Sequence, residues 1–185
     1  MPRLMAFDNV TLDGRFAGPN GDLGWAHKDD PEWKAFVDSN ASGDGRLVFG
    51  RVTYQMMASY WPTPLAHQTS PVVAERMSAM PKIVFSRTLS HTTWENTTLI
   101  NDDLLSAVRR LKREPGEDMA ILGSGSIVSQ LTAARLIDEY QIVINPLVIG
   151  EGKALFEGVK DPVPLRLTKT RPFENGNVLL CYAPA

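Results

Sequence analysis

The 185-residue sequence has a single cysteine, Cys181, and only three histidines, His27, His67 and His91, standing far apart among polar residues. One thiol excludes an intrachain disulfide and any cysteine-rich zinc site, so no metal is expected. Long apolar runs are also missing. The run Ile142 to Ile149 is broken by Asn145 and Pro146, and falls well short of the roughly 20 residues that a helical membrane span needs. Met1 to Phe7 lacks the basic start and long apolar stretch of a secretory leader. Nor is there an excess of positive charge, with 19 Lys and Arg against 21 Asp and Glu, so the surface is not prepared to neutralise a nucleic-acid backbone. Neither nucleic acid nor membrane is expected as a partner, and the chain is read as soluble and cytoplasmic. Repeats and low-complexity segments are absent too.

What is present suits one domain over residues 1–185. Apolar residues make up 43% of the chain, enough for a single core. Eight strand-like runs recur: Arg3 to Val10, Arg46 to Phe49, Lys82 to Phe85, Thr98 to Ile100, Met119 to Leu122, Glu139 to Ile149, Leu165 to Thr170 and Asn177 to Tyr182. Cys181, in the apolar run Val178 to Tyr182, reads as a buried strand residue. Four helical patterns alternate with the early strands. Asp30 before Pro31 starts a helix to about Asn40, with Trp33, Phe36 and Val37 on one face. A second helix begins just after Gly50. The third is capped by Asp102 or Asp103 and ends at Pro115 and Gly116, and the fourth covers about Ser126 to Ala134. No helical pattern returns after Asp138, where Gly and Pro turns suit antiparallel pairing. The expectation is an α/β fold with a mixed eight-stranded sheet and about four helices, parallel first and antiparallel at the end. Trp61 to Pro71, with three prolines and no periodicity, reads as a surface loop with a short helix after it.

Three strand ends carry residues suited to anions. Leu122, Gly123, Ser124, Gly125 and Ser126 join an apolar strand to a helix. There glycines permit a tight turn, and unpaired helix-start amides favour a phosphate. The same turn is common in α/β proteins that bind nothing. It lacks the third glycine of a dinucleotide fingerprint, Val128 standing in its place, and no Gly-Lys-Ser/Thr follows to make a P-loop. Val48 to Tyr54 is a second such turn. Its Arg51 opposes the helix dipole unless an anion sits beside it; the other reading is a surface pair with a carboxylate. Val84, Phe85, Ser86, Arg87 and Thr88 form a third, and a guanidinium flanked by hydroxyls fits a phosphomonoester such as the 2′-phosphate of NADP. In an open parallel sheet these ends share one edge, where ligands bind.

These segments resemble the dihydrofolate reductase superfamily, and within it the branch containing the reductase domain of bacterial riboflavin biosynthesis. The similarity rests on Thr11 to Arg15, Gly50 to Tyr54, Val84 to Arg87, Gly123 to Ser126, and Pro146 to Gly152 leading to Leu155 and Phe156, in family order over almost the whole chain. The resemblance implies a three-layer dihydrofolate reductase-like fold, NADPH as hydride donor, a small heterocyclic substrate of pteridine or ribosylamino-pyrimidine type, and a homodimer. On the matching positions, Gly50, Arg51 and Thr53 hold phosphates at the second helix start. Ser86 and Arg87 face the adenosine end, and Gly123, Ser124, Gly125, Ser126 and Ile127 cradle the pyrophosphate. The segment from Asp13 to about Trp25 becomes the gate over the nicotinamide. Its six glycines, prolines and asparagines within eleven residues independently suit a mobile lid, or a glycine-rich hairpin tip.

Catalytic residues are less sharply drawn. Dihydrofolate reductases carry a carboxylate on the first helix. Here that position falls near Lys34, the nearest acid is Glu32, and an acid there also complements the helix dipole. Asp13 and Glu32 are the candidate catalytic acids, with His27 a further candidate proton donor. Trp25 and Trp33 flank the expected cleft and are placed to stack on a planar substrate. Two other readings compete with an active reductase: a non-catalytic NADPH-binding sensor or partner protein, and a homodimer with a vestigial nucleotide site.

Overall fold

Leu4, Ala6 and Val10 alternate with Met5, Phe7 and Asn9 along strand β1 (Leu4–Thr11), so both faces of the strand are largely apolar, as in a strand buried between two helix layers. The computed structural model describes residues 1–26, 29–41 and 43–185. The other strands are β2 (Arg15–Ala17), β3 (Arg46–Gly50), β4 (Lys82–Phe85), β5 (Thr97–Ile100), β6 (Met119–Leu122), β7 (Glu139–Asn145), β8 (Lys153–Ala154), β9 (Leu165–Pro172) and β10 (Val178–Pro184). Eight of them form one sheet in the order β5-β4-β3-β6-β1-β7-β10-β9, and β2 pairs separately with β8. From β5 to β7 every pairing is parallel. Only β10 runs antiparallel to its neighbours β7 and β9. The sheet is therefore mixed in the expected sense.

The helices are α1 (Pro31–Ala41), α2 (Arg51–Tyr60), α3 (Pro64–Thr69), α4 (Pro71–Ala79), α5 (Leu104–Arg113) and α6 (Gly125–Ala133). On one face of the sheet, Val108 of α5 and Ile127, Val128 and Leu131 of α6 pack with Leu4, Ala6 and Val10. On the other, Trp33 of α1 meets Val143 and Leu179, while Tyr54 of α2 and Met77 of α4 meet Phe49 and Val84. Cys181 is buried in this second layer, as expected of a strand thiol. Among the described residues no helix is long and apolar enough to cross a membrane.

Two expectations need correction. The described residues contain six α-helices where about four were expected, because the proline-rich stretch after Trp61 is helical. Pro64 and Pro71 each stand in the first turn of a helix, where a missing N–H costs nothing, and the Thr63 side chain accepts from the Ala66 amide at 3.3 Å to cap α3. Strand β7 stops at Asn145, short of Ile149, because Pro146 has no N–H to continue the ladder.

Lys82 is buried at the opposite, amino-terminal end of β4, with 1% exposure. Its ammonium donates to the carbonyls of Ser78, Met80 and Glu95 at 2.9, 2.8 and 3.2 Å and lies 4.4 Å from the Trp94 ring centroid. Burial draws its pKa down to about 8, so it remains mostly charged at neutral pH and spends its protons on the three carbonyls that end α4 and begin β5. Lys82→Met strands those carbonyls and is expected to lower unfolding free energy by about 1–3 kcal/mol. Urea unfolding checks this, and an unchanged midpoint would show the ammonium to be dispensable.

Candidate functional site

The parallel strands finish at one edge, and the three turns singled out in the sequence lie side by side there. Phe85 pairs with Gly50, and the Gly50 amide donates to the Ser124 hydroxyl at 2.8 Å, so the turns after β3 and β6 are stapled together. A Cβ on Gly50 would stand 3.2 Å from Ile127 Cγ1, and one on Gly123 would stand 3.4 Å from Thr53 Cγ2. At Gly50 a side chain would need its neighbour to give way, whereas at Gly123 it would be in ordinary contact and the positive φ is what favours glycine. Gly123 and Ser124 both adopt left-handed backbone, at φ 58° and 63°. That is inexpensive for the glycine and costly for the serine. The hydrogen bond to Gly50 is the compensation visible for Ser124.

Both helices that start here, α2 and α6, lack a side-chain cap and carry no acidic residue in the first turn. By contrast Asp30, Thr63 and Asp103 cap α1, α3 and α5 through their side chains. Two uncapped helix starts set together leave amide donors and positive dipole ends facing one place. Arg51 adds a cation. It is exposed, donates to Gln55 Oε1 at 3.1 Å, and forms no ion pair with a carboxylate among the described residues, so the surface-pair reading does not hold. On the neighbouring strand end, the Ser86 hydroxyl accepts from the amides of Thr88 and Leu89 at 3.1 and 3.0 Å. Arg87 is exposed, with the Asp103 carboxylate close enough to feel its charge. Between this segment and α2 lies a cavity of about 390 Å³, lined by Tyr54, Gln55, Ala58, Thr88, Leu89 and His91. The Tyr54 hydroxyl, accepting from the Thr93 and Trp94 amides at 3.1 and 3.0 Å, fixes its floor.

The glycine-rich segment is tied down at its start. Asp13 accepts from the Thr11 hydroxyl at 2.6 Å and from the Ile149 and Gly150 amides at 3.3 and 2.9 Å, bonds that hold its carboxyl below the usual carboxylate range. Strand β2 then pairs with β8. A Cβ on Gly152 would lie 2.2 Å from the Ala17 carbonyl, which explains glycine there. The part of the expected lid without strand pairing begins only at Gly18, in the short turns Pro19–Gly21 and Gly24–Ala26. Trp25 is half-buried there and donates to the Asp22 carbonyl at 3.1 Å. His27 lies outside the described residues.

Glu32 and Trp33 are committed elsewhere. Glu32 accepts from the Glu174 amide and from Arg171, both at 3.1 Å, which lowers its pKa and keeps it an ionised acceptor, unsuited to delivering a proton. Trp33 is 6% exposed and lies 5.3 and 5.1 Å from the rings of Phe36 and Phe173. It backs an aromatic wall and does not present a free stacking face. Lys34 points outward, exposed.

With this geometry in view, the profile of the RibD C-terminal domain matches residues 2–179. The chain belongs to that family. It is 34% identical over 173 residues to the uncharacterized protein YyaP of Bacillus subtilis, covering 94% of this chain and 90% of that one. Among solved structures, a putative riboflavin biosynthesis protein from Shewanella sp. PV-4 superposes with a TM-score of 0.78 at 21% identity, covering 99% of both chains. A diaminohydroxyphosphoribosylaminopyrimidine deaminase/5-amino-6-(5-phosphoribosylamino)uracil reductase from Thermotoga maritima gives 0.71 at 16% identity, with all of this chain matching 57% of that longer one. Dihydrofolate reductase from Enterococcus faecalis, complexed with NADP(H), gives 0.66 at 18% identity, covering 98% and 96%. At such identities the superpositions speak for the fold, which is dihydrofolate reductase-like.

This RibD C-terminal domain also carries polar residues that sequence reasoning passed over. Asp8 is 3% exposed in the middle of β1, and its Oδ2 has no hydrogen-bond partner. On the opposite face, Asn145 is fully buried and donates to the Asn9 side chain and the Val10 carbonyl, both at 3.3 Å. Asn177, just before Val178, whose ladder partner is Ile144, is also fully buried, with both side-chain polar atoms unpartnered. The signal was available: Asp8 interrupts the apolar series Leu4, Ala6, Val10, and three asparagines fall at strand ends.

Gly125 is held to glycine by Phe16 of β2, since a Cβ there would stand 2.4 Å from the ring. Gly125→Ala is expected to cost about 1–3 kcal/mol of stability through overpacking. Adding Phe16→Leu should recover much of that cost, because the two sites share one contact. Strictly additive losses in chemical denaturation would sink this account of the turn.

Proposed function

We propose that this protein is an NADPH-dependent reductase of a small planar heterocycle. The observation that carries the reading is the pair of stapled, uncapped helix starts at Gly50 and Gly125, with Arg51, which forms no ion pair among the described residues, beside them. Amides without acceptors, two dipole ends and a guanidinium in one place suit a pyrophosphate. Ser86, Arg87 and the neighbouring cavity suit an adenosine carrying a 2′-phosphate. The residues present therefore fit the cofactor, which when bound supplies a hydride from its nicotinamide ring. The name of the Thermotoga maritima protein, a uracil-type reductase, and the NADP(H) in the Enterococcus faecalis structure support the same reading.

The chain's own part is to bind, orient and exclude water. Asp13 ties the start of the gate segment to residues 149–150, and Phe16 closes over Gly125. Substrate is assigned to the α1 side of the sheet edge, where Phe7, Phe36 and Phe173 form an aromatic wall and Asn9, Asn145 and Asn177 offer amide donors and acceptors, groups that match the edge of a pyrimidine or pteridine ring. Glu32, ionised and bound to Arg171, positions the wall by fastening α1 to the β9–β10 hairpin. The product's proton then comes from water or from another group.

Tryptophan fluorescence titration tests the cofactor assignment. NADPH is expected to bind more tightly than NADH. Arg51→Ala should weaken both nucleotides by on the order of tenfold or more, while Arg87→Ala weakens mainly NADPH, as expected for lost charge-assisted hydrogen bonds. Equal losses for the two nucleotides in Arg87→Ala would refute its 2′-phosphate role, and no binding of either nucleotide would overturn the reading. Binding without NADPH oxidation across pteridine and pyrimidine substrates would favour a sensor.

A homodimer is part of the proposal. The edge strand β9 has an open hydrogen-bonding side and exposes Leu165 and Leu167 at 36% and 49%, a surface that a second copy would cover. Light scattering should give twice the 20.4 kDa chain mass, with Leu167→Glu shifting the protein toward monomer; a monomeric wild type refutes it.

A further inference from the structure

Among the described residues, Asp8 is the one carboxylate that is buried, unpaired and close to the turns just described. It alternates with Leu4, Ala6 and Val10, which pack against α6, so it belongs to the α6 layer. It stands one residue beyond Phe7, which pairs with Leu122 and whose carbonyl accepts from the Gly123 amide at 3.3 Å. That places it beside the start of α6. The side chains packed on this face from β6, β7, α6 and β2 are Ile121, Ile142, Ile127, Val128 and Phe16, all apolar, and Tyr140 further along β7 turns its hydroxyl to Thr132. None of these supplies Asp8 with a hydrogen bond, and its Oδ2 is sealed without one. A buried polar group left in this state costs folding stability that Val or Ile at the same position would not. Such a cost at a ligand-facing edge points to use when the ligand is present.

The order of the strands says which ligand group reaches it. Ser86 and Arg87 follow β4, Gly50 ends β3, Gly123 to Gly125 follow β6, and Asp8 is on β1; the sheet sets these strands side by side in that order. Neighbouring strands lie about 4.8 Å apart, so the row spans about 14 Å. With the adenosine at β4 and the pyrophosphate between β3 and β6, the second nucleoside has one direction left along the edge, across β6 to β1.

We propose that Asp8 hydrogen-bonds the nicotinamide-riboside half of the dinucleotide, through its carboxamide or a ribose hydroxyl. This rests on the cofactor reading above. Desolvation raises the Asp8 pKa well above the usual carboxylate range, which favours the neutral acid. A neutral acid both donates and accepts, matching a carboxamide or a hydroxyl, and adds no charge beside the pyrophosphate.

The test compares binding of three probes, NADPH, 2′-phospho-ADP-ribose and 2′,5′-ADP, to the wild type, Asp8→Asn and Asp8→Leu. Asp8→Leu should melt at or above the wild-type temperature, since it removes a desolvated carboxyl from an apolar layer. It should weaken NADPH by on the order of tenfold to a hundredfold, the loss of a buried hydrogen-bonded contact, while 2′,5′-ADP, which lacks the second nucleoside, binds within twofold of wild type. Asp8→Asn keeps a donor and an acceptor and should retain most of the NADPH affinity. A matching loss for 2′-phospho-ADP-ribose assigns the contact to the ribose, and no such loss assigns it to the carboxamide. Undiminished NADPH binding in Asp8→Leu, or equal losses for NADPH and 2′,5′-ADP, overturns the Asp8 assignment while the cofactor reading stands. A wild type that binds none of the three overturns both.

Discussion

A single hydrogen bond, from the Gly50 amide to the Ser124 hydroxyl at 2.8 Å, organises the carboxyl edge of this sheet. It joins two strand-to-helix turns that are 74 residues apart in the chain. It also engages the hydroxyl of Ser124, the N-cap residue of α6, which leaves that helix without a side-chain cap. To make it, Ser124 takes a left-handed backbone conformation that a serine seldom adopts. Strain, an unused cap and two helix starts in contact are one arrangement, and each element makes sense only with the others.

The electrostatic consequence is local. The chain as a whole is close to neutral, with a formal charge of −2, yet this edge gathers dipole ends, free amides and Arg51, with no acidic residue in either first turn. Elsewhere the same chain caps helices with Asp30, Thr63 and Asp103. Helix α4 also starts without a side-chain cap, so what distinguishes α2 and α6 is that their two uncapped starts meet. Such a pair of helix starts suits an anion, which is the basis of the proposed pyrophosphate site.

Strand β1 divides the chemistry between the two faces of the sheet. Asp8 turns into the α6 layer, beside the turn after β6, whereas its neighbour Asn9 turns to the α1 side, where Asn145, Asn177 and the aromatic wall lie. Period-two geometry separates adjacent side chains to opposite faces, so one short strand reaches both the proposed cofactor side and the proposed substrate side. The first-helix acid of dihydrofolate reductases has no direct counterpart here: Lys34 is exposed, and Glu32 is bound to Arg171 and the Glu174 amide. In the proposed site, neutral amides therefore stand where dihydrofolate reductases use a charged group.

By itself the sequence determined what depends on near neighbours. Hydrophobic alternation marked the strands of the main sheet, and Asp30 and the pair Asp102 and Asp103 marked helix starts. The glycines at 50, 123 and 125 marked turns, because these signals arise from φ/ψ limits and hydrogen bonds within a few residues. The same local logic misread Pro64 and Pro71, since proline serves a loop and the first turn of a helix equally well. Tertiary structure decided what depends on residues far apart in the chain. Glu32 looked like a free acid until Arg171 and Glu174 came to it across about 140 residues of chain. Trp33 looked like a stacking face until Phe173 covered it. Asp8 looked like one polar residue in a strand until helix α6 sealed it without a partner. Burial and pairing are properties of the assembled layers, and no local pattern encodes which side chain will be left alone.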